Sequence, residues 1–368
     1  MYGLGLHPVA DRTRCGIIPA PWPEQMPPSD LVRIALIGFG HWGPNYARIL
    51  AGTLGGARLV ACAEPSAGRL AAFERQYPAA RAYADYTRML RDGDVDAAIV
   101  ATPTSTHREI VERCLAAGLH VLVEKPLAGT VADAEALTTL AHDAGRTLMV
   151  GHTFLFNPAV RAIKAYIDQG LLGEIRYLYF QRTGLGPIRQ DVNALWDLAP
   201  HDFSMLRYWL GSDPVALVAR GQSYLKAGTE DVVFVTLNYP NQVLASVHVS
   251  WLDPVKVRRV TVVGDKKMVV FDDTHATEKL RIYDRGADYQ PREGGFAEFI
   301  AAVRDGDIVI PRIEPLEPLR EQLAHFVQCV TTGHKPLTSA EDGTAIVRVL
   351  EWAEHELDAS TRAETAPA

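Results

Sequence analysis

Three short segments carry residue types that could act together in catalysis. The first is Gly38-Phe39-Gly40-His41-Trp42-Gly43, a Gly-x-Gly-x-x-Gly run between the apolar stretch Leu31 to Ile37 and a segment of helical spacing that begins at Asn45. In that setting Gly38 makes a tight turn, Gly40 lets a pyrophosphate approach the backbone, and Gly43 lets the helix pack close to the strand. The helix start then offers free N–H groups and a positive dipole end to the phosphates. Pro44 costs little in a first turn, where its N–H would have no partner. Phe39, His41 and Trp42 complete the expected loop contact. Glu64 ends the next apolar run, 21 residues after Gly43, near the spacing of about 20 at which an acid receives the ribose diol of NAD. A carboxylate there repels the 2′-phosphate of NADP, although Ser66 and Arg69 soften that repulsion. The cofactor expected is NAD, with NADP second.

The second segment is Glu124-Lys125-Pro126, at the end of the apolar run His120 to Val123. A lysine there projects toward a nicotinamide, and partial desolvation lowers its pKa. The third is Asp197-Leu198-Ala199-Pro200-His201, followed by Asp202 and Phe203. Pro200 suits a first helical turn, which puts His201 at a helix N-terminus, where the dipole disfavours imidazolium. Neutral imidazole is the form a general base needs. Asp197 could orient His201, share a substrate hydroxyl or cap the helix. Asp202 reads as a first-turn helix acid. Upstream, Arg182, Arg189, Asp191 and Asn193 form a polar stretch. Its arginines suit a phosphate or carboxylate, or else a solvated surface loop. Asn157 falls where two domains should meet and could bond a sugar hydroxyl. His152 reads equally well as structural.

These segments need strands that end at one place. Asp96 to Thr102, His120 to Val123 and Thr147 to Val150 are short apolar runs separated by helical spacing. Strands alternating with helices give a doubly wound parallel sheet whose ligands lie beyond the strand carboxyl ends. Thr102, Pro103, Thr104 and His107 lie at one such end, and Glu124 and Lys125 at another. After Gly151 the rhythm changes to alternating strand-like runs, near Glu174 to Arg182, Val215 to Tyr224, Asp231 to Tyr239, Val243 to Trp251, Lys256 to Val263, Lys267 to Phe271 and Lys279 to Tyr283. Short links join many of them, which predicts an antiparallel sheet. Helices over about Leu316 to Thr331 and Ala340 to Leu357 follow.

Composition narrows the class of function. The 368 residues carry 37 Lys and Arg against 44 Asp and Glu, net −7, which argues against a nucleic-acid partner held by a basic field. No apolar stretch is long enough for a membrane span. Four cysteines lie far apart with no CxxC pair, which suits reduced thiols in the cytoplasm and argues against a metal site. The expected organisation is a flexible tail over 1–30, a Rossmann domain over 31–151, a substrate and oligomerisation domain over 152–358, and a flexible tail over 359–368.

Together, the Gly38-Phe39-Gly40 loop, Ala101-Thr102-Pro103-Thr104 with His107, Glu124-Lys125-Pro126, and Asp197 with His201 resemble the glucose-fructose oxidoreductase, inositol dehydrogenase and rhizopine-catabolism protein family. The likeness spans about Leu31 to Leu357. It implies an α/β protein: an N-terminal Rossmann sheet and a C-terminal α+β domain on a large open, mainly antiparallel sheet that mediates homodimers or homotetramers. It implies NAD(P)-dependent hydride transfer at a secondary alcohol of a sugar, amino-sugar, nucleotide-sugar or cyclitol, with Lys125, Asp197 and His201 as catalytic residues. The Arg-to-His stretch also looks like that of relatives that oxidise C3. Keto-sugar reduction by the same residues and a non-catalytic nucleotide sensor are the alternatives.

Overall fold

The computed structural model describes residues 31–52, 54–189, 191–290 and 300–365. The expected leading tail lies outside them. The first half runs β1 (Val32–Ile37), α1 (Gly43–Ala51), β2 (Ala57–Ala63), α2 (Ala67–Gln76), β3 (Arg81–Tyr83), α3 (Tyr86–Asp92), β4 (Ala97–Val100), α4 (His107–Ala116), β5 (His120–Val123), α5 (Val131–Asp143) and β6 (Leu148–Val150). Its strands form one parallel sheet in the order β3-β2-β1-β4-β5-β6. β4 is wholly buried and β1 and β5 nearly so, as expected of strands covered on both faces by helices. The order reverses between β1 and β4, and the loops after β1, β4 and β5 gather at that switch point.

The second half runs α6 (Pro158–Asp168), β7 (Ile175–Leu185), α7 (Ala194–Leu210), β8 (Ala216–Gln222), β9 (Val232–Asn238), β10 (Leu244–Ser250), β11 (Leu252–Gly264), β12 (Met268–Asp272), β13 (Leu280–Gln290), β14 (Ile300–Val309), α8 (Pro318–Thr332) and α9 (Ala340–Thr365). The eight strands pair in the order β14-β13-β12-β11-β7-β10-β9-β8. Neighbours are antiparallel except β7 and β10, which run parallel with Tyr177 opposite Leu244. A parallel pair requires a crossover; α7 and the β8–β9 hairpin supply it. Alternate residues of β9 (Val233, Val235 and Leu237) are buried on the face that α7 covers, whereas Phe234 and its neighbours point away.

The chain does not divide cleanly at Gly151. α9 packs on α5 of the first sheet as well as on α7 and β8. The link before α9 extends the parallel sheet: Met149 pairs with Ser339, and the Val150 N–H donates to the Thr338 carbonyl at 2.8 Å. α9 also runs on to Thr365, past the end expected at Leu357.

Candidate active site

The phosphate loop has glycines for three separate reasons. Gly38 has φ +98°, and a Cβ there would lie 2.6 Å from the Ala101 carbonyl oxygen. At Gly43 a Cβ would lie 2.3 Å from the Gly38 oxygen, so the start of α1 touches the turn directly. At Gly40 a Cβ would meet no protein atom nearer than the Arg69 Nη1 at 3.7 Å. The protein's own packing therefore does not require glycine at 40, and the space beside its backbone is open to a ligand. Beside the loop, Glu64 accepts the Phe39 N–H at 2.7 Å and the Ser66 N–H at 2.9 Å, and only 4% of it is exposed. The Arg69 guanidinium lies 3.9 Å from it. An open glycine at a helix start with a carboxylate at the next strand end fits a dinucleotide. Phe39 joins through its backbone alone, since its ring is buried against Phe73 and Tyr77. His41 and Trp42 are exposed on the loop.

Two residues expected at the cofactor prove to be braces. His107 is wholly buried, its Nδ1 2.9 Å from the Pro126 carbonyl and its Nε2 3.0 Å from the Thr102 carbonyl. It ties the Thr102 loop to the Lys125 loop and does not face a ligand. Glu124 is buried and accepts from the Tyr46 hydroxyl at 2.6 Å, and burial raises its pKa. Gln322 of α8 donates to that hydroxyl and accepts from Thr153, which fastens the Lys125 loop from behind. Thr102 and Thr104 remain partly open and Pro103 exposed at the end of β4.

Lys125 reaches across to α7. Its Nζ donates to the Asp197 carbonyl at 2.7 Å and lies 3.7 Å from the Asp197 carboxylate. Burial lowers the lysine pKa against the opposing pull of Asp197 and Glu124. The Asp197 carboxylate also receives the Trp251 indole N–H at 3.2 Å and the Arg189 guanidinium at 3.3 Å. Trp251 was not foreseen. Its position just past β10 was the available signal.

The helix that carries this group begins earlier than expected. Asn193 caps α7, its side chain accepting the Trp196 N–H at 3.1 Å. Pro200 therefore lies inside the helix, and His201 about two turns from its start. The cap of Asn193 and the buried Ala194-Leu195-Trp196 face outweigh the proline signal. The dipole fades within the first turn, so it does not set the state of His201. Burial does: it drives the His201 pKa well below the usual value, with Lys125 and Arg182 adding to the effect. The expected neutral imidazole stands, for a different reason. His201 is half-buried, its ring 5.0 Å from that of Phe154.

Several expected substrate ligands have other partners. Arg182 is 5% exposed and holds Asp202 by two guanidinium nitrogens, at 2.7 and 3.1 Å, beneath the Phe154 ring. Asp202 is thus not a first-turn acid but half of a buried ion pair. Asn193 donates to Glu230 at 2.8 Å as well as capping α7. Asn157 caps α6 through the Ala159 N–H at 2.9 Å and its amide turns to Asp273. Arg189 and Asp191 pair with each other at 2.6 Å at the rim.

Residues 32–152 match the profile of an oxidoreductase family with an NAD-binding Rossmann fold, and residues 160–270 match a GFO/IDH/MocA C-terminal domain. Myo-inositol 2-dehydrogenase of Thermotoga maritima is 27% identical over 323 residues, 85% of this chain and 92% of the relative. UDP-N-acetylglucosamine 3-dehydrogenase of Acidithiobacillus ferrooxidans is 28% identical over 321 residues, 87% of this chain and 94% of the relative. A crystal structure of a Magnetospirillum magnetotacticum MS-1 protein superposes with a TM-score of 0.73 at 34% identity, covering 87% of this chain and 99% of that one. These matches, with a Rossmann half joined to a mixed eight-stranded half across Lys125 and Asp197, place this chain in the Gfo/Idh/MocA family of oxidoreductases.

Proposed function

We propose that the protein is an NAD-dependent dehydrogenase of a secondary alcohol in a sugar, amino-sugar, nucleotide-sugar or cyclitol, with oxidation at C3 favoured. One observation carries this reading: the buried Lys125 ammonium bonded to the first turn of α7, beside the Asp197 carboxylate and one turn from His201. The oxidised nicotinamide supplies a hydride acceptor. His201, neutral by burial, takes the hydroxyl proton. Lys125 and Asp197 hold the hydroxyl oxygen, and Arg189 at the rim orients the rest of the substrate. Gly38 to Gly43 with Thr102, Pro103 and Thr104 cradle the dinucleotide. Glu64 favours the free ribose diol of NAD over the phosphate of NADP. The relatives named for inositol and for UDP-N-acetylglucosamine support the substrate class.

The test is NADH formation from NAD and a panel of myo-inositol, UDP-N-acetylglucosamine and simple sugars, with product mass. Expected is loss of two hydrogens from one substrate. His201→Ala should turn over about 10²–10⁴-fold more slowly with cofactor affinity kept. Wild-type turnover in that variant would remove His201 from the chemistry. Cofactor binding without turnover in either direction would favour the sensor.

The exposed face of the eight-stranded sheet fits a second copy of the chain. Tyr177, Tyr179, Val218, Phe234 and Leu244 all stand on it, each at least 38% exposed. Phe234→Glu is expected to shift the sedimentation of the wild-type oligomer to monomer; an unchanged profile would place the contact elsewhere.

A further inference from the structure

A base that takes a proton each turnover must also lose it before the next. His201 Nδ1 is buried and has no hydrogen-bond partner among the described residues. Ser204 and Tyr208 follow His201 on one face of α7, at helical spacing. Against that face lies a cavity of about 240 Å³, lined by His152, Ser204, Arg207, Tyr208, Thr338 and Asp342. It sits where the end of the first sheet, α7 and the start of α9 meet. Leu155, Leu337 and Ile346 complete a mixed wall, whose polar groups can hold waters in a space of this volume. His152 is 1% exposed, and neither ring nitrogen has a partner among the described residues. A buried imidazole with both nitrogens unpaired is unfavourable unless water reaches it. His152 lies within electrostatic reach of His201, Asp342 and Lys125.

We propose that His152 and the cavity behind it form the exit route for the proton that His201 takes from the substrate hydroxyl. The proposal rests on the base role given to His201 above. The substrate O–H bond breaks as an N–H bond forms at His201 Nε2, while the carbon's hydrogen leaves with its electron pair for the nicotinamide. The imidazolium then gives its Nδ1 proton to an acceptor nitrogen of His152, directly or through one water. Neutral imidazole has one donor and one acceptor nitrogen, so His152 releases its other proton to cavity water, past Asp342 to solvent. One proton leaves per alcohol oxidised; both histidines return neutral with the proton on the other ring nitrogen, and each ring re-tautomerises through water before the next turnover. Burial holds His152 neutral, with its pKa lowered to about 4, and Arg207 and Tyr208 border the same space. His152 is thus a positioning residue that acts through His201.

The test compares wild type with His152→Phe, which keeps a ring and removes both nitrogens, and His152→Ala, which leaves room for a soluble base. The first readout needs no turnover: solvent exchange of the His201 ring N–H, followed by nitrogen-15 NMR, is expected to slow about tenfold in His152→Phe. The second is turnover in dilute buffer, where kcat is expected to fall about tenfold at unchanged KM, with free imidazole restoring His152→Ala but not His152→Phe. Unchanged exchange in folded His152→Phe would overturn the route. So would failure of imidazole to restore a folded, impaired His152→Ala, which decides the matter if the Phe variant does not fold. Slowed exchange in a protein that turns over no alcohol would leave the route standing and take away the dehydrogenase reading.

Discussion

At the scale of single residues, burial decides which charged groups serve chemistry and which serve structure. Arg182 and Lys125 both lie near His201, but their partners differ. Arg182 spends its guanidinium on Asp202, with both side chains nearly sealed from water. Lys125 rests on a carbonyl and a carboxylate that still borders the opening. Arg182→Met should strand the Asp202 carboxylate in the interior and cost about 3–5 kcal/mol, read as a fall in the urea midpoint. Adding Asp202→Leu should recover most of that loss. A raised KM with an unchanged midpoint would instead return Arg182 to the substrate. Arginine beside a catalytic segment reads the same in sequence in either role. Only the distance to Asp202, twenty positions on, separates them.

Elements place these side chains, and the sequence showed their kinds better than their ends. Strand, glycine loop and helix were legible because a buried parallel strand is a continuous apolar run and Gly38 and Gly43 have steric reasons to be glycine. α7 was misplaced because Pro200 imitates a helix start, while the true cap, Asn193, read as part of a polar substrate-binding stretch. The short β3 and the edge strand β14 escaped notice, and the parallel β7–β10 pair has no local signature, since direction depends on a crossover of about sixty residues. The cap predicts a measurable consequence. Asn193→Ala should lose about 1 kcal/mol from the helix start and lower the melting temperature. Turnover should fall with it, because Asp197 stands in that first turn. Loss of substrate affinity at an unchanged melting temperature would make Asn193 a ligand after all.

Across the whole molecule, the two halves share one interior in which imidazoles are held neutral. His107 braces two loops of the first sheet, His152 and His201 lie where the halves meet, and His325 receives the Leu337 N–H from α8. Burial is the leading cause in each, lowering His152 and His325 to about 4, and His107 and His201 below the usual value. A histidine whose folded pKa is depressed binds fewer protons folded than unfolded, so stability rises with pH through the window between the two values. It is complete above the unfolded value of 6.5 and is lost as pH falls toward about 4, at about 1.4 kcal/mol per pH unit for each histidine fully within its window. Glu124 and Asp202, raised by burial, act in the opposite sense over the lower part of that range. His120 and His248 join the lowered histidines and Glu354 the raised carboxyls, so among the described residues six histidines against three carboxyls leave a net loss on acidification. Urea midpoints measured from neutral pH down to about 4.5 should therefore fall steadily, and His325→Gln should flatten the slope without moving the active site. A midpoint that stayed level over that range would mean that these imidazoles are already charged in the folded protein, and that His201 could not serve as the base.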